Sequence, residues 1–354
     1  MSEIESKGKV AKKDTKMEII DVHRHCLARP PEGLMRTILE KRIHWREIEQ
    51  HTVTTFKGIS SIVYPELMDI EAQVKCQDEA GITKSLLSFS MALETMVKAL
   101  FFAPEDELTR RLNDATVAMV HRYPDKLNFM AIVNPFNKKC IKECERCIDT
   151  LEAKGINIST SWDGMFLDSA DLNHFWEFVQ ERDVAVFLHP PQVPMGHKYM
   201  DAYKLEEMIG RPFDTTMTVA RMIYTGVFDR FPKLNIVLPH MGGGLPMIVG
   251  RLDFGYRLGY NGLPKEQVPV CRRKPSDYFR TNLYVDTMGF APAGIKHIID
   301  LFGVDRVLFG SDYAAVPISP KEQVDIVKSL GLSHEDEEKI LWKNANALFK
   351  ITSC

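Results

Sequence analysis

No apolar run in this chain approaches the roughly 20 residues needed to span a bilayer, and none follows a basic N-terminus in the manner of an export signal. Membrane insertion and export are therefore not expected. Charge of one sign is equally scarce. Forty-five Lys and Arg against 48 Asp and Glu leave a net charge of −3 and a pI near 6.4, which gives no global field for nucleic acid or anionic lipid. The short basic run Arg272-Arg273-Lys274 reads as solvated loop charge. The seven cysteines are an odd number spread over 354 residues, which excludes a disulfide scaffold and fits a reducing cytosol. Cys140, Cys144 and Cys147 recur at i, i+4 and i+7 of a helical segment. One helix rarely aims three thiolates at one ion, so these read as a half-buried helix face. No low-complexity linker divides the chain, and no short internal repeat is visible. One domain over residues 18–354 is expected, behind a floppy polar tail over 1–17.

Eight short apolar runs do stand out, each followed by a helical pattern: "EIIDVH", "KSLLSFS", "LNFMAIVNP", "GINIST", "VAVFLHP", "LNIVLPH", "NLYVDT" and "RVLFGSD". Most are continuously apolar, as buried parallel strands are. Amphipathic stretches such as "DIEAQVKCQDEAG", "LNHFWEFVQERD" and "PAGIKHIIDLFG" lie between them. The pattern predicts an α/β fold, a (β/α)8 TIM barrel with long insertions in its βα loops. Alternation alone also admits a doubly wound open sheet, but no glycine-rich phosphate turn follows the first strand. Two connections are long, 28–66 and 251–281. Both follow strand C-termini and are expected on the catalytic rim.

The strand ends are where chemistry collects. Only 11 of 354 residues are His, yet strand one ends on His23 and His25, strand five on His189 and strand six on His240, while strand eight ends on Asp312. Residues i and i+2 of a strand share a face, so His23 and His25 point together. Strand ends converge at the mouth of a closed barrel, where His23, His25, His189 and Asp312 would suit one divalent ion, Zn²⁺ first and Mn²⁺ as the alternative. Three His and one Asp leave a position open for water, whose pKa would fall to about 7. His240, before "MGGG", is assigned as general acid or base, with Asp312 as ligand and proton carrier. Asp21 is a partner for a ligating imidazole or a turn cap.

Several blocks, "DVHRH", "DEAGI", "FLHP", "GVFDRFPKLNIVLPHMGGGLPMIVGRL", "LYVDT", "RVLFGSDY" and "NANALF", together resemble the amidohydrolase superfamily. More narrowly, they resemble its aminocarboxymuconate-semialdehyde decarboxylase-like branch. That resemblance implies the same four ligands, His240 beside the metal water, and Arg251 as the cation for a substrate carboxylate. It also implies a homodimer or higher homo-oligomer, with a neighbouring arginine completing the site. No lysine stands at the end of strand four, since Lys154 precedes it, which favours a single ion over a carbamate-bridged pair. The chain departs from the branch in "PQVPM" after "FLHP", in a first loop whose cation is Lys57 and not an arginine, and in Cys26.

The resulting expectation is a cytoplasmic enzyme acting on a small-molecule carboxylate, with no nucleic-acid or membrane partner. The favoured reaction is non-oxidative decarboxylation of a cyclic, aromatic or unsaturated acid, with metal-bound water, His240 and Asp312 moving the proton. Hydrolysis of an amide, lactone, ester or C–C bond at the same mononuclear site is the alternative. A structural metal is disfavoured because the donor set is open and free of sulfur.

Overall fold

Runs of Val, Ile, Leu and Phe without polar alternation suit strands covered on both faces, and all eight such runs are strands of one parallel sheet. The computed structural model describes residues 17–27, 44–48, 51–56, 59–89 and 104–351. Apart from Met17, the tail expected over 1–17 lies outside these residues, as does Lys57. In chain order the strands are β1 (Ile20–Cys26), β2 (His44–Ile48), β3 (His51–Phe56), β4 (Ile59–Val63), β5 (Lys84–Phe89), β6 (Leu127–Ile132), β7 (Gly155–Ser159), β8 (Ser161–Trp162), β9 (Met165–Phe166), β10 (Val186–His189), β11 (Ile236–Leu238), β12 (Leu283–Asp286) and β13 (Val307–Leu308). The large sheet runs β1-β5-β6-β7-β10-β11-β12-β13. Its two ends meet: Val22 N donates to Phe309 O (3.0 Å), His25 N to Tyr313 O (2.6 Å) and Asp312 N to His23 O (2.8 Å). The architecture is a (β/α)8 barrel.

Helices fill the intervals where the sequence places them. The helix Ile70–Ala80 shows the local logic, since Asp69 caps its first turn by accepting from Ala72 N, and Gly81 ends it in the left-handed conformation. Cys140, Cys144 and Cys147 are all buried and pack into the core, as a helix face and not a thiolate cluster. Cys26 is buried as well, with its Sγ 3.6 Å from Ser88 O. At the bottom of the barrel, Phe349 and Ile351 pack with Ile20, Met130, Ala185 and Val237. The closing "NANALF" is thus the plug of the barrel floor. Among the described residues no helix is long and apolar enough to cross a membrane.

The first long connection contains a three-stranded antiparallel sheet, β2-β3-β4, which the sequence reading left unassigned. The second excursion begins later than expected, because residues 251–258 belong to the helix Leu245–Leu258.

β1 carries one irregularity that matters. Asp21 pairs with Ser85 but Arg24 pairs with Leu87, so Val22 and His23 together oppose the single residue Leu86. A bulge of this kind turns side chains out of the regular alternation. Val22 joins Ile20 in the barrel interior. Asp21 leaves the imidazoles altogether: it accepts from His23 N (3.1 Å), Ser311 N (3.1 Å) and Ser311 Oγ (2.6 Å). Its role is to pin the two edges of the sheet together.

Arg24, between the two histidines, points away from the mouth and is buried under helix Ile70–Ala80. It donates to Gln77 Oε1 (3.1 Å), Ser85 Oγ (3.3 Å) and Gln73 O (3.1 Å), with its Nε 4.0 Å from Asp21 Oδ2. Removing one member of a buried ion pair strands the other charge. Arg24→Ala should therefore cost roughly 3–5 kcal/mol in denaturant unfolding. A loss under about 1 kcal/mol, the range of surface pairs, would show that the pair does not hold the barrel edge.

Candidate active site

Each expected donor sits at the C-terminal end of a strand or just beyond it. His23 and His25 lie in the second half of β1, His189 ends β10, His240 follows β11 and Asp312 follows β13. Closure brings them together. His23 Nε2 is 3.1 Å from His25 Nε2, and Asp312 Oδ1 is 3.2 Å from the first and 3.0 Å from the second. His240 Nε2 is 3.2 Å from Asp312 Oδ2. Ligand atoms of His23, His189, His240 and Asp312 all lie within 4.8 Å of one another. Bonds of about 2.0–2.1 Å to a shared ion place neighbouring ligand atoms roughly 3 Å apart, which is the spacing seen here.

The remaining ring nitrogens are tied down in a way that frees lone pairs for the centre. A carbonyl can only accept, so the 2.9 Å contact between His189 Nδ1 and Pro190 O puts that proton on Nδ1. His25 Nδ1 meets Ser88 Oγ at 3.3 Å. His23 Nδ1 meets Asp286 Oδ2 at 2.6 Å. Asp286 is the functional residue that the sequence reading missed. Its other oxygen accepts from Met241 N (3.2 Å) and Met288 N (3.1 Å), so one carboxylate orients His23 and holds the turn that carries His240. The signal was available, for "NLYVDT" ends on this aspartate. Gly310 makes the approach possible, since a Cβ there would stand 2.8 Å from His23 Cβ and 3.0 Å from Asp286 Cβ.

Charge is distributed unevenly over the cluster. Burial opposes a proton on His23, but Asp312 and the bonded Asp286 outweigh it and push its pKa up to about 10. Burial holds His25 below the usual imidazole value, only partly offset by Asp312, and holds His189 well below it, with His25 and His23 adding to the effect. For Asp312 burial acts upward, yet His23, His240 and His25 win and keep the carboxyl well below its ordinary range. Two centres carry backbone strain, with His240 and Met241 at φ 54° and Asp312 at φ 58°. Left-handed backbone at non-glycine residues costs about 1–3 kcal/mol each and clusters at functional sites. Asp312 Oδ1, facing His23 and His25, is buried without a hydrogen-bond partner. An unmet buried carboxylate oxygen among imidazole nitrogens fits a divalent cation.

A cavity of about 910 Å³ opens over the cluster, in the size range of small-molecule sites. Ile62 and Tyr64 of the first long connection line it, with Leu67 just after, so that connection does reach the rim. Nothing from 251–281 lines it. Arg251 in particular is exposed on the outer side of helix Leu245–Leu258 and outside the cavity of its own chain. Lys154 precedes β7, at the end of the barrel away from the mouth.

A closed eight-stranded barrel with imidazoles and one carboxylate gathered at its C-terminal mouth defines a class of barrel proteins built to hold a divalent ion. Residues 20–351 match the family model described as Amidohydrolase, and the chain belongs to that family. It is 31% identical over 299 residues to gamma-resorcylate decarboxylase of Polaromonas sp. (strain JS666 / ATCC BAA-500), covering 80% of this chain and 89% of that one. It is 29% identical over 248 residues to 2-amino-3-carboxymuconate-6-semialdehyde decarboxylase of Dictyostelium discoideum, covering 68% and 67%. Among solved structures, a dihydroxybenzoic acid decarboxylase from Polaromonas sp. JS666, with bound manganese and 2-nitroresorcinol, superposes with a TM-score of 0.74 at 26% identity. It covers 96% of this chain and 98% of its own. The 5-carboxyvanillate decarboxylase of Sphingomonas paucimobilis shares the fold, with a TM-score of 0.77 at 22% identity over 95% and 100%.

Removing the group that orients a ligating imidazole typically weakens metal binding by about 10–100-fold. Asp286→Ala should show that loss in a chelator-competition titration. Wild-type affinity in the variant would mean that Asp286 does not support the centre.

Proposed function

We propose that this chain is a metal-dependent, non-oxidative decarboxylase of a small aromatic or otherwise unsaturated carboxylic acid. The observation that carries the reading is the 31% identity to gamma-resorcylate decarboxylase over 80% of the chain. The site by itself would serve hydrolysis equally well, since a fold does not choose a reaction.

His23, His25, His189 and Asp312 are the ligands in this reading. His25 is preferred to His240 because its Nε2 shares the Asp312 Oδ1 edge with His23 in full burial, whereas His240 faces the other oxygen and is 17% exposed. When bound, the ion supplies fixed positive charge for substrate oxygens. Zinc suits an imidazole-rich set, and manganese is the alternative, as in the Polaromonas relative.

His240 carries the proton. Asp312, kept ionised by its neighbours, is a poor donor, but at 3.2 Å it orients the His240 ring. The proton goes to the carbon that bears the carboxylate. The carbon–carboxylate bond then breaks, CO2 leaves, and the electron pair of that bond returns to the ring. Apolar residues over the cluster, among them Met208, Met241, Met288 and Phe290, keep water from competing.

A homodimer fits the surface. Met247, Arg251, Phe254 and Leu258 are exposed along one side of a helix, with exposed Phe213 and Met217 on the helix Arg211–Tyr224. Apolar side chains grouped this way on neighbouring helices support that reading. Through it Arg251 would serve the cavity of a second copy. The described cysteines are unpaired, which agrees with a reducing cytoplasm.

Incubation with 2,6-dihydroxybenzoate, 6-methylsalicylate and 5-carboxyvanillate, alongside a lactone series, tests the reaction. One acid should release CO2 stoichiometrically, and chelation should abolish this until Zn²⁺ or Mn²⁺ is returned. His240→Ala should lower kcat by about 10²-fold or more with metal content unchanged. Lactone hydrolysis without CO2 release would move the chain to the hydrolytic alternative. Mixing Arg251→Ala with His240→Ala protein should restore part of the activity if Arg251 acts across a dimer, and no recovery would remove it from the site.

A further inference from the structure

The loop that follows Asp312 is apolar, although rim loops ordinarily face water. Residues 314–318 read "AAVPI", and Ala315, Val316, Pro317 and Ile318 all line the cavity. The loop is fixed at both ends. Val316 N donates to Asp312 O (3.0 Å), and Ser319 caps the helix Pro320–Lys328 by accepting from Lys321 N (3.3 Å). Pro317 adds a locked φ between them. A wall built this way stands in place before any ligand arrives.

The first long connection continues that wall. His25 N donates to Tyr313 O (2.6 Å), and Leu27 N donates to Leu67 O (2.7 Å), so both segments are mounted on the end of β1. Ile62 and Leu67 line the cavity with the loop after Asp312. Leu67 is buried, whereas Ile62 is 43% exposed and Phe290, which also lines the cavity, is 56% exposed. The lining thus passes from the metal cluster through buried apolar side chains to apolar side chains open at the mouth. Among the described residues, the other charged groups in the lining are confined to the stretch 204–211.

Size points the same way. An apolar cavity of about 150 Å³ is enough to hold benzene, and this one measures about 910 Å³. A lone benzoate at the cluster would leave most of the apolar lining in water. Apolar surface left exposed beside a catalytic cavity marks a ligand groove.

We propose that the substrate carries an extended apolar substituent, which lies along the wall of Ile62, Leu67, Val316 and Ile318. Its carboxylate end would sit at the His23–Asp312 cluster. This rests on the decarboxylase reading only for what happens at the carboxylate, since the wall itself takes part in no bond change. Covering the wall removes apolar surface from water, and the fixed loop adds little ordering cost on binding.

Calorimetric titration of the full chain, carrying its ion, with benzoate and its para-ethyl, para-butyl and para-hexyl derivatives tests this. Each methylene laid on the wall should tighten binding about fourfold, at one ligand per chain. Ile62→Gln and Ile318→Gln, which add no charge, should each remove much of that gain and leave benzoate binding in place. Ile318→Ala, the milder change, should lower the gain in part. No gain with chain length, a gain unchanged in all three variants, or an equal loss for benzoate and its alkyl derivatives overturns the proposal. Release of CO2 is followed separately. A wall-dependent gain in a protein that decarboxylates nothing leaves the groove standing and removes the decarboxylase reading. Decarboxylation of short acids without any gain from the chain removes the groove alone.

Discussion

The site depends on a sheet that closes on itself at one seam. β1 and the segment after β13 are joined by few backbone bonds, and Asp21 reinforces them by gripping Ser311 through both backbone and hydroxyl. That grip falls one residue before Asp312. It delivers the carboxylate to His23 and His25, from the far end of the chain to its beginning. The bulge in β1 belongs to the same device, because it releases Asp21 from the barrel mouth for this task and leaves His23 at the centre.

Once the donors are gathered, their charges cannot be independent. Five titratable side chains share a small buried volume, and the protein balances them with carboxylates on both sides of His23. Asp286 lies behind the ring and Asp312 in front, so the one strongly basic imidazole is the one flanked by two acids. His25 and His189 have no second carboxylate and remain neutral donors. A divalent ion competes with protons for the same imidazole and carboxylate atoms, which couples metal uptake to pH. Asp286 also binds the backbone after His240, so the ligand ring and the proton carrier are placed by one group.

Much of this was legible in the chain. Eight short apolar runs, most of them continuous, became the eight barrel strands because parallel strands buried on both faces leave little room for polar alternation. The histidines at their ends were conspicuous, since His is rare here and each stood at a strand terminus. What escaped notice has physical causes. An aspartate at a strand end, such as Asp286, reads the same whether it caps a turn or orients a ring, and only the three-dimensional neighbour decides. The bulge at Val22–His23 breaks the period of two on which Asp21 was placed beside the imidazoles, and nothing local announces it. β2, β3 and β4 sit inside a stretch read as loop, although "HTVTTF" and "ISSIV" are rich in β-branched residues. Arg251 carried a family resemblance, but the direction in which a helix presents a side chain is set by packing that one sequence does not reveal.

The central claim is that these side chains share one ion, and anomalous diffraction at the zinc and manganese absorption edges tests it most directly. The account predicts one peak per chain, about 2.0–2.2 Å from donor atoms of His23, His25, His189 and Asp312, with His240 outside that shell. Two ions, an ion held elsewhere, or a fully loaded protein whose ion lacks these four donors would contradict it.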